Sequence, residues 1–405
     1  MDRLTDVVPR LSLIVPTRQR AAYVEYCLRS CTANSDPELE IVVIDNASTD
    51  GTREAVARVV DPRVRYIRND RRLSMRDNFE KGLTEARGDV LCFIGDDDGV
   101  FPFSVARALA LFDCHDISAV AAARAHYFWP DLQTAKRNIA LLPRGSGVDI
   151  RNSRVELRGI LSDNDYYRLP CLYHGFVKRD LVERIRQRQG RFFLSSQVDI
   201  FSAIALSMEG VAYVFSHAPL VINGGSGRSN GASHFGGGTS VEKALWQVED
   251  DLGFLPGFED FTGVGSLIIE STIRYCRANG IALDAVLDPN YTAATLRDED
   301  ALRSLDGEAC RTSDQRLAAT GLSPAVVAAA PTMARQGKFR RLVTAFGKTM
   351  PIDMSQEGVT TVDGAARLMA RMLATKQIGI LAQPLQQIRV AARIARSSVM
   401  ASRLL

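Results

Sequence analysis

Three consecutive carboxylates, Asp96 to Asp98, follow the apolar run Leu91–Ile94 after a single residue, Gly95. The run is typical of a strand that is buried on both faces, so the acids should lie just past its end. Adjacent carboxylates repel one another unless a cation or a donor-rich ligand shares their site. The alternative interpretation is a solvated turn or a helix cap, because Phe101-Pro102 follows and Asp is a favourable N-cap residue.

Strands and helices alternate along the first 125 residues. The patterns predict strands over 11–16, 40–45, 64–67, 89–94 and 117–123, with helices over 19–32, 52–60, 75–86 and 102–112 between them. This alternation predicts an α/β fold with a mostly parallel sheet and helices on both faces. Ligands of such sheets bind outside the carboxyl ends of the strands.

Pro16-Thr17, Asp45 and the acidic triplet follow the first, second and fourth predicted strands. Because the carboxyl ends of parallel strands share one edge of the sheet, we expect these residues to lie close together. That convergence favours a binding site over a solvated turn for the triplet. For Asp45, a cap of the following turn remains the alternative.

One or two carboxylates completed by phosphate oxygens are a usual way to hold Mg²⁺ at a nucleotide. Neither GxxxxGK[ST] nor GxGxxG follows the first strand, which argues against ordinary kinases and dehydrogenases. Metal and side chains would therefore have to neutralise a diphosphate. A diphosphate leaving group on a metal is a Lewis-acid arrangement.

Four blocks of the sequence, LSLIVPTRQR, IVVIDNASTDGT, MRDNFEKGLTEARGD and FIGDDDGVFP, occur in an order and spacing that resemble a family 2 glycosyltransferase. The resemblance covers residues 9 to 125. It implies a GT-A fold and transfer of a sugar from a nucleotide-diphosphate donor to a hydroxyl group, with inversion at the anomeric carbon and with Mg or Mn as cofactor.

The resemblance also implies roles for individual residues. Pro16, Thr17 and Arg18 would line the nucleobase pocket, Asp45 would accept a hydrogen bond from the base, and Asp96 would face the ribose. Asp97, with Asp98 beside it, would hold the metal.

Arg76 or Arg72 would reach the diphosphate, although an exposed helix arginine is the more common case. Many family members have Asp where this chain has Gly95, and an aromatic residue where it has Arg18.

Asp199 opens a predicted helix with an apolar stripe that ends at Gly210. An acid in the first turn is favoured by the helix dipole alone. Members of the resembling family carry their general base at such an acid, which implies that Asp199 removes the proton of the acceptor hydroxyl. Inverting transfer needs one carboxylate in that role.

The glycine-rich segment 222–238 lies where related enzymes have a loop that closes over donor and acceptor. Ordering of such a loop on substrate binding would exclude water that hydrolyses the donor. His234 in this segment is a candidate metal or phosphate ligand, as a histidine is in some GT-A enzymes; an exposed loop histidine is the alternative. His174 is a candidate for the same role, while Ser226 and Ser229 are weaker candidates.

Two aromatic stretches, 125–131 and 163–174, precede Asp199. Their composition suits a sugar-binding surface, where rings stack on sugar faces. It suits packed loops equally well, because Tyr and Trp are often buried with a hydrogen-bonded polar tip. The sequence leaves both interpretations open.

Residues 331–405 contain 12 Lys or Arg and 3 Asp or Glu, whereas the rest of the chain is mildly acidic. Four arginines of this tail, Arg389, Arg393, Arg396 and Arg403, fall on one helical stripe. A basic helix of this kind binds anionic membranes, which would suit a lipid-linked acceptor. A solvated face, or docking on the acidic body, is the alternative.

Composition places the chain among ordinary globular proteins, with 46% hydrophobic and 24% charged residues among 405. Seven scattered cysteines form no zinc-like cluster and are expected to be reduced. The N-terminus does not resemble a signal peptide, and no uncharged apolar run reaches the length of a membrane span. We therefore expect a cytoplasmic location, with contact to the inner face of the membrane through the basic tail.

These observations predict three parts: residues 1–125 as the nucleotide-sugar half, 126–240 as the acceptor half with the base and the glycine-rich loop, and 241–405 as a mainly helical region. The expected partners are a UDP, GDP or dTDP sugar and a glycan or lipid-linked acceptor, without nucleic acid. The alternative function is a non-catalytic GT-A scaffold that binds nucleotide or glycan. A nucleotidyltransferase would need a glycine-rich phosphate loop, which Pro16-Thr17-Arg18-Gln19 does not supply.

Overall fold

A computed structural model describes residues 8–163, 165–229, 252–258, 263–301, 316–318, 320–321 and 349–375. The strands are β1 (Leu11–Thr17), β2 (Leu39–Asp45), β3 (Val64–Arg68), β4 (Val90–Phe93), β5 (Gly99–Val100), β6 (Ala119–Ala122), β7 (Ala125–Phe128), β8 (Ile139–Pro143), β9 (Val148–Asn152), β10 (Phe176–Lys178), β11 (Ala212–Ser216), β12 (Val221–Gly225) and β13 (Thr349–Asp353). The helices are α1 (Val24–Thr32), α2 (Thr52–Ala57), α3 (Met75–Glu85), α4 (Ser104–Cys114), α5 (Ser153–Asp163), α6 (Arg179–Gln189), α7 (Val198–Met208), α8 (Val264–Ala278), α9 (Pro289–Ala301) and α10 (Val362–Ala374).

The larger sheet has eight strands in the order β3-β2-β1-β4-β10-β6-β11-β9. Four of its neighbouring pairs are parallel, among them β1 with β2 and β1 with β4. This confirms the predicted α/β fold with a mostly parallel sheet. The central strands read as continuous apolar runs because apolar clusters cover both faces of the sheet.

The smaller sheet has the order β13-β8-β7-β12-β5. Its outer strand β13 comes from the C-terminal region that the sequence predicts to be mainly helical, and it pairs antiparallel with β8. Helix α10, which follows β13, packs against α1 through the apolar cluster that includes Tyr23, Val362 and Met369. Part of the C-terminal region therefore supports the nucleotide-sugar half directly.

The predicted boundary at residue 125 divides one sheet rather than two separate bodies. Strands β10 and β11 come from the segment 126–240, yet they lie in the larger sheet beside β4 and β6. The two predicted halves therefore share a core. The predicted boundary at residue 240 lies outside the described residues, as does the arginine stripe of the tail.

Helix α7 is buried along almost its whole length, since ten of its eleven residues, all except Asp199, are buried. Helices α8, α5, α3 and α6 surround it. Such a helix cannot move independently of the core, so it holds the acid in its first turn in a defined place.

None of the described helices combines the length and apolar composition needed to cross a bilayer. The six described cysteines are free thiols, in agreement with the expected reduced state, and Cys310 lies outside the described residues.

Candidate active site

The carboxyl ends of β1 and β2 lie side by side, with Pro16 opposite Ile44 and Thr17 opposite Asp45. Asp45 is fully buried. One of its carboxylate oxygens accepts a hydrogen bond from the Ser48 amide at 2.9 Å, and the other accepts one from the Tyr66 hydroxyl. Asp45 thus caps the turn that follows β2, which was the alternative interpretation, and its contact with a base stays a prediction.

The first acid of the triplet, Asp96, joins the ends of β1 and β4. Its Oδ2 accepts a hydrogen bond from the Thr17 hydroxyl at 2.7 Å, and its Oδ1 lies 3.5 Å from Nε of Arg20. Burial raises the pKa of Asp96 to about 7, against the opposing effect of the Arg20 charge. The predicted convergence of Thr17 with the triplet is therefore present in the structure.

The second acid, Asp97, faces the segment after β12. Its Oδ2 accepts hydrogen bonds from the Ser226 hydroxyl at 2.6 Å and the Ser229 hydroxyl at 2.5 Å. Burial, with the charge of Asp98 next in size, raises the pKa of Asp97. The structure thus brings the triplet and the start of the glycine-rich segment together.

The third acid, Asp98, is saturated by protein donors. Its two oxygens accept hydrogen bonds from the Gly95 and Gly224 amides, both at 2.6 Å, from His174 Nε2 at 2.6 Å and from the Tyr173 hydroxyl at 2.8 Å. Burial acts to raise the pKa of Asp98, but His174 and the two amides outweigh it and lower the pKa. Asp98 therefore holds the segment containing His174 and strand β12 around the triplet.

A divalent cation fits the donor set at this edge. Asp96 and Asp97 are neighbouring buried carboxylates; burial first, and the charges of the adjacent acids second, raise the pKa of each, and a bound cation would act in the opposite direction. Among the described side chains no group of three His, Cys, Asp or Glu is arranged as a complete metal site. The arrangement matches the pattern of one or two carboxylates completed by phosphate oxygens.

Gly224 passes so close to the triplet that no larger residue fits. A Cβ atom there would lie 1.9 Å from the carbonyl oxygen of Asp97. We expect Gly224→Ala to lower the free energy of unfolding by about 1–3 kcal/mol, the usual cost of overpacking. Urea unfolding followed by circular dichroism measures it.

The control for this substitution is Gly159→Ala in α5, where the nearest atom to an added Cβ is 3.9 Å away. Because alanine is a better helix former than glycine, this variant should be about 0.5–1 kcal/mol more stable than the wild type. Equal stability of the Gly224 and Gly159 variants would contradict the close approach of β12 to the triplet.

Asp199 lies in the first turn of α7, as the sequence predicts. Its Oδ2 accepts a hydrogen bond from the Tyr166 hydroxyl at 2.6 Å. The Sγ atom of Cys171 donates to its carbonyl oxygen at 3.3 Å. Asp199 also acts electrostatically on Tyr173 and His174, the two residues that bind Asp98. The acid and the triplet thus flank one short segment of chain.

The remaining predicted residues differ in their placement. Arg76 is buried in the first turn of α3, so the alternative of an exposed helix arginine is wrong for it. Arg18 follows β1 directly and is partly buried. His234 lies outside the described residues, which end at residue 229 in the glycine-rich segment.

The two aromatic stretches, 125–131 and 163–174, differ in what they contact. In the first, Tyr127 and Trp129 are buried, and Trp129 packs edge-on against Tyr23, so this stretch is part of the core. In the second, Tyr166 binds Asp199, while Tyr167 remains 45% exposed. The packed interpretation is confirmed for the first stretch, and sugar binding by the second stays a prediction.

Sequence reasoning did not assign a role to Arg124 or Tyr173. Arg124 directly follows β6, so the rule that ligands gather at strand ends could have marked it. Tyr173 stands beside the candidate His174 but had no signal of its own. Its importance depends on the fold, which places its hydroxyl on Asp98.

His126, on β7, should make stability depend on pH. Burial lowers its pKa to about 4, from 6.5. Between pH 6.5 and pH 4, His126 is protonated in the unfolded chain but neutral in the folded chain. Because the unfolded state then binds one more proton, the free energy of unfolding decreases as the pH falls through this range. His126→Gln should reduce this slope by at most about 1.4 kcal/mol per pH unit. Urea unfolding at pH 4.5, 5.5 and 7 tests it, and an unchanged slope would count against it.

Residues 12–175 match the family described as Glycosyl transferase family 2. They include β1 to β4, the whole acidic triplet and His174, which build one side of the site. Over residues 12–175, the chain is similar to glycosyl transferase family 2. Asp199 and the serines that contact Asp97 lie beyond the matched region.

The chain is similar to several curated proteins over part of its length, two of which illustrate the extent of the match. It is 36% identical over 94 residues to an uncharacterized protein of Mycobacterium tuberculosis, covering 23% of this chain and 30% of the relative. It is 34% identical over 94 residues to the GalNAc(5)-diNAcBac-PP-undecaprenol beta-1,3-glucosyltransferase of Campylobacter jejuni, covering 22% of this chain and 30% of that enzyme. The matched region thus spans under a third of each relative.

Among solved structures, the chain is similar to S. aureus TarS 1-349 in complex with UDP-GlcNAc. The sequence identity is 18%, the TM-score is 0.44, and the match covers 77% of this chain and 90% of TarS 1-349.

Proposed function

We propose that this chain is an inverting, metal-dependent glycosyltransferase of family 2 that moves a sugar from a nucleotide-diphosphate donor to a hydroxyl acceptor in glycan or polysaccharide biosynthesis. The proposal rests on the hydrogen bonds that connect the acidic triplet to both sides of the site. Thr17 at the end of β1 binds Asp96, and His174 and Tyr173, in the segment that leads towards Asp199, bind Asp98.

The nucleoside would bind at the ends of β1 and β2, against Pro16, Thr17, Arg18 and Asp45, with Asp96 towards the ribose. Asp45 already holds the turn after β2 through Ser48, so it would present this turn in a fixed form. Arg76 is buried in the first turn of α3 and would contribute positive charge towards the diphosphate.

A divalent ion, Mg or Mn, would be held mainly by Asp97, with Asp98 and His234 as the further predicted ligands. When bound it supplies Lewis-acid neutralisation of a diphosphate leaving group. Asp97 suits the role best, because the hydrogen bonds to it come from two serine hydroxyls, which can reorient. Asp98 is held by four protein donors and is less available.

Asp199 would take the proton of the acceptor hydroxyl as that oxygen attacks the anomeric carbon. The bond from the anomeric carbon to the diphosphate oxygen breaks in the same step, so the configuration inverts. The Tyr166 hydroxyl fixes one carboxylate oxygen of Asp199 and leaves Oδ1 for the acceptor proton.

A glycan or lipid-linked acceptor is supported by the name of the similar Campylobacter jejuni enzyme, which acts on an undecaprenol-linked glycan. Contact of the basic tail with the inner face of a membrane would suit such an acceptor. The arginine stripe of the tail lies outside the described residues, and this contact rests on the charge of the tail alone.

A thermal-shift screen tests the donor class. The chain is heated with UDP, GDP, dTDP and CMP sugars, each with and without Mn²⁺ or Mg²⁺. One donor should stabilise the protein by about 2.7 kcal/mol at 100 times its dissociation constant, and only with metal. Metal-stimulated donor hydrolysis should accompany it. Binding without any hydrolysis or transfer would instead support a non-catalytic scaffold.

A further inference from the structure

Arg124 stands at the junction of the two sheets, between β6 and β7. Its guanidinium carbon lies 3.9 Å from the ring centre of Tyr167 and 5.9 Å from that of Tyr166. Stacking on the Tyr167 ring holds the guanidinium plane in one orientation and leaves its edge for hydrogen bonds.

The donors of Arg124 are poorly used by the protein. Within the described part of the chain, the guanidinium forms no ion pair, and it donates one hydrogen bond, to the Tyr173 carbonyl at 3.4 Å. The side chain is half-buried. A guanidinium has five N–H donors and stays charged, so a partly desolvated one gains most from an oxyanion.

The surroundings place this charge on the acceptor side of the site. Tyr166, one of the two rings beneath Arg124, donates its hydroxyl to Asp199, and Asp199 acts electrostatically on Arg124. Tyr167, the other ring, is 45% exposed, so solvent and ligands reach this place. The nucleoside contacts proposed above lie instead around Thr17 and Asp96.

We propose that Arg124 binds an oxyanion, a phosphate or a carboxylate, of the acceptor, and so selects anionic acceptors for transfer. The proposal rests on the proposed function, because it takes Asp199 as the base beside which the acceptor lies. Arg124 holds the anionic group by a bidentate pair of hydrogen bonds, while Tyr167 holds the guanidinium in place. A neutral acceptor would leave the guanidinium without this partner.

The test measures binding of small acceptor probes when the donor site is already filled. The full chain is saturated with the nucleoside diphosphate found in the screen above and is then titrated calorimetrically with glucose 6-phosphate, glucuronate and glucose. The wild type should bind one of the two anionic sugars at least about tenfold more tightly than glucose, as expected for hydrogen bonds to charged groups. Arg124→Gln should abolish this preference.

Arg151→Gln is the matched control. Arg151 also stacks on an aromatic ring, 4.1 Å from the centre of Phe215, but it is paired with Asp149 at 2.6 Å. This variant should keep the preference for anionic sugars. Arg124→Lys retains the charge without the planar fork, so it should fold like the wild type and show an intermediate preference.

Three results would overturn the proposal. The wild type could bind both anionic sugars no better than glucose, or Arg124→Gln could keep the preference. In the third, Arg124→Gln weakens nucleoside diphosphate binding at least about tenfold but leaves the sugars unaffected, which would assign the oxyanion to the donor. Failure of the proposed function is distinct, because the screen above would then show no nucleoside diphosphate binding, or binding without hydrolysis or transfer.

Discussion

Asp97→Asn is expected to lower the rate of sugar transfer at least about a thousandfold, because Lewis-acid stabilisation contributes several kcal/mol and each 1.36 kcal/mol is tenfold. The substitution keeps the size of the side chain and an oxygen that can accept from Ser226 and Ser229, so the fold should persist. It removes the negative charge that a cation needs. Initial rates over a Mn²⁺ titration measure the loss.

Asp98→Asn is the informative comparison. The four protein donors around Asp98 require acceptor oxygens, and an amide nitrogen at either position would face a donor. We therefore expect Asp98→Asn to lose thermal stability, whereas Asp97→Asn loses metal-dependent activity at nearly unchanged stability. If Asp97→Asn keeps wild-type transfer and metal dependence, Asp97 does not hold the metal.

Removal of metal should reproduce the Asp97 result in the wild-type chain. EDTA is expected to suppress transfer, and excess Mg²⁺ or Mn²⁺ should restore it, without restoring Asp97→Asn. Full transfer in EDTA would contradict metal dependence, while leaving the assignment of Asp199 open to its own test.

The nucleotide-sugar half could be predicted from the sequence because its signals are local. Buried parallel strands read as apolar runs, and turn residues and acids follow them directly, so Thr17, Asp45 and Asp96 could be placed at one edge before any contact was known. The helix that begins beside Asp199 could also be predicted, because its apolar stripe and Gly210 at its end are local signals.

The rest of the site depends on contacts between distant segments, for which the sequence has no local signal. Ser226 and Ser229 reach Asp97 across about 130 positions because β12 pairs with β5 and β7. The strand β13 escaped prediction for the same reason, since its partner β8 lies some 200 residues earlier. Adjacent acids also look alike in sequence, yet the structure distinguishes them. Asp98 accepts hydrogen bonds from four protein donors, whereas Asp97 accepts them from two serine hydroxyls.

Asp199→Asn is expected to lower kcat by about 10²–10⁴-fold, the range that general-base catalysis contributes. The amide keeps an oxygen that can accept the Tyr166 hydrogen bond, so α7 and its buried surroundings should be undisturbed. What it cannot do is take the acceptor proton. Donor binding should remain at the wild-type level, because in the proposed function Asp199 contacts the acceptor and not the donor.

Two variants separate loss of the base from loss of its position. Tyr166→Phe removes the hydroxyl that orients Asp199 but leaves the carboxylate, so transfer should fall about tenfold, the equivalent of one hydrogen bond to a charged group. Asp165→Asn removes an exposed acid of the same segment and should leave the rate unchanged. The rate of donor consumption with and without acceptor distinguishes transfer from hydrolysis.

Wild-type transfer by Asp199→Asn would remove Asp199 from the mechanism, and the proton would then have to leave through another group.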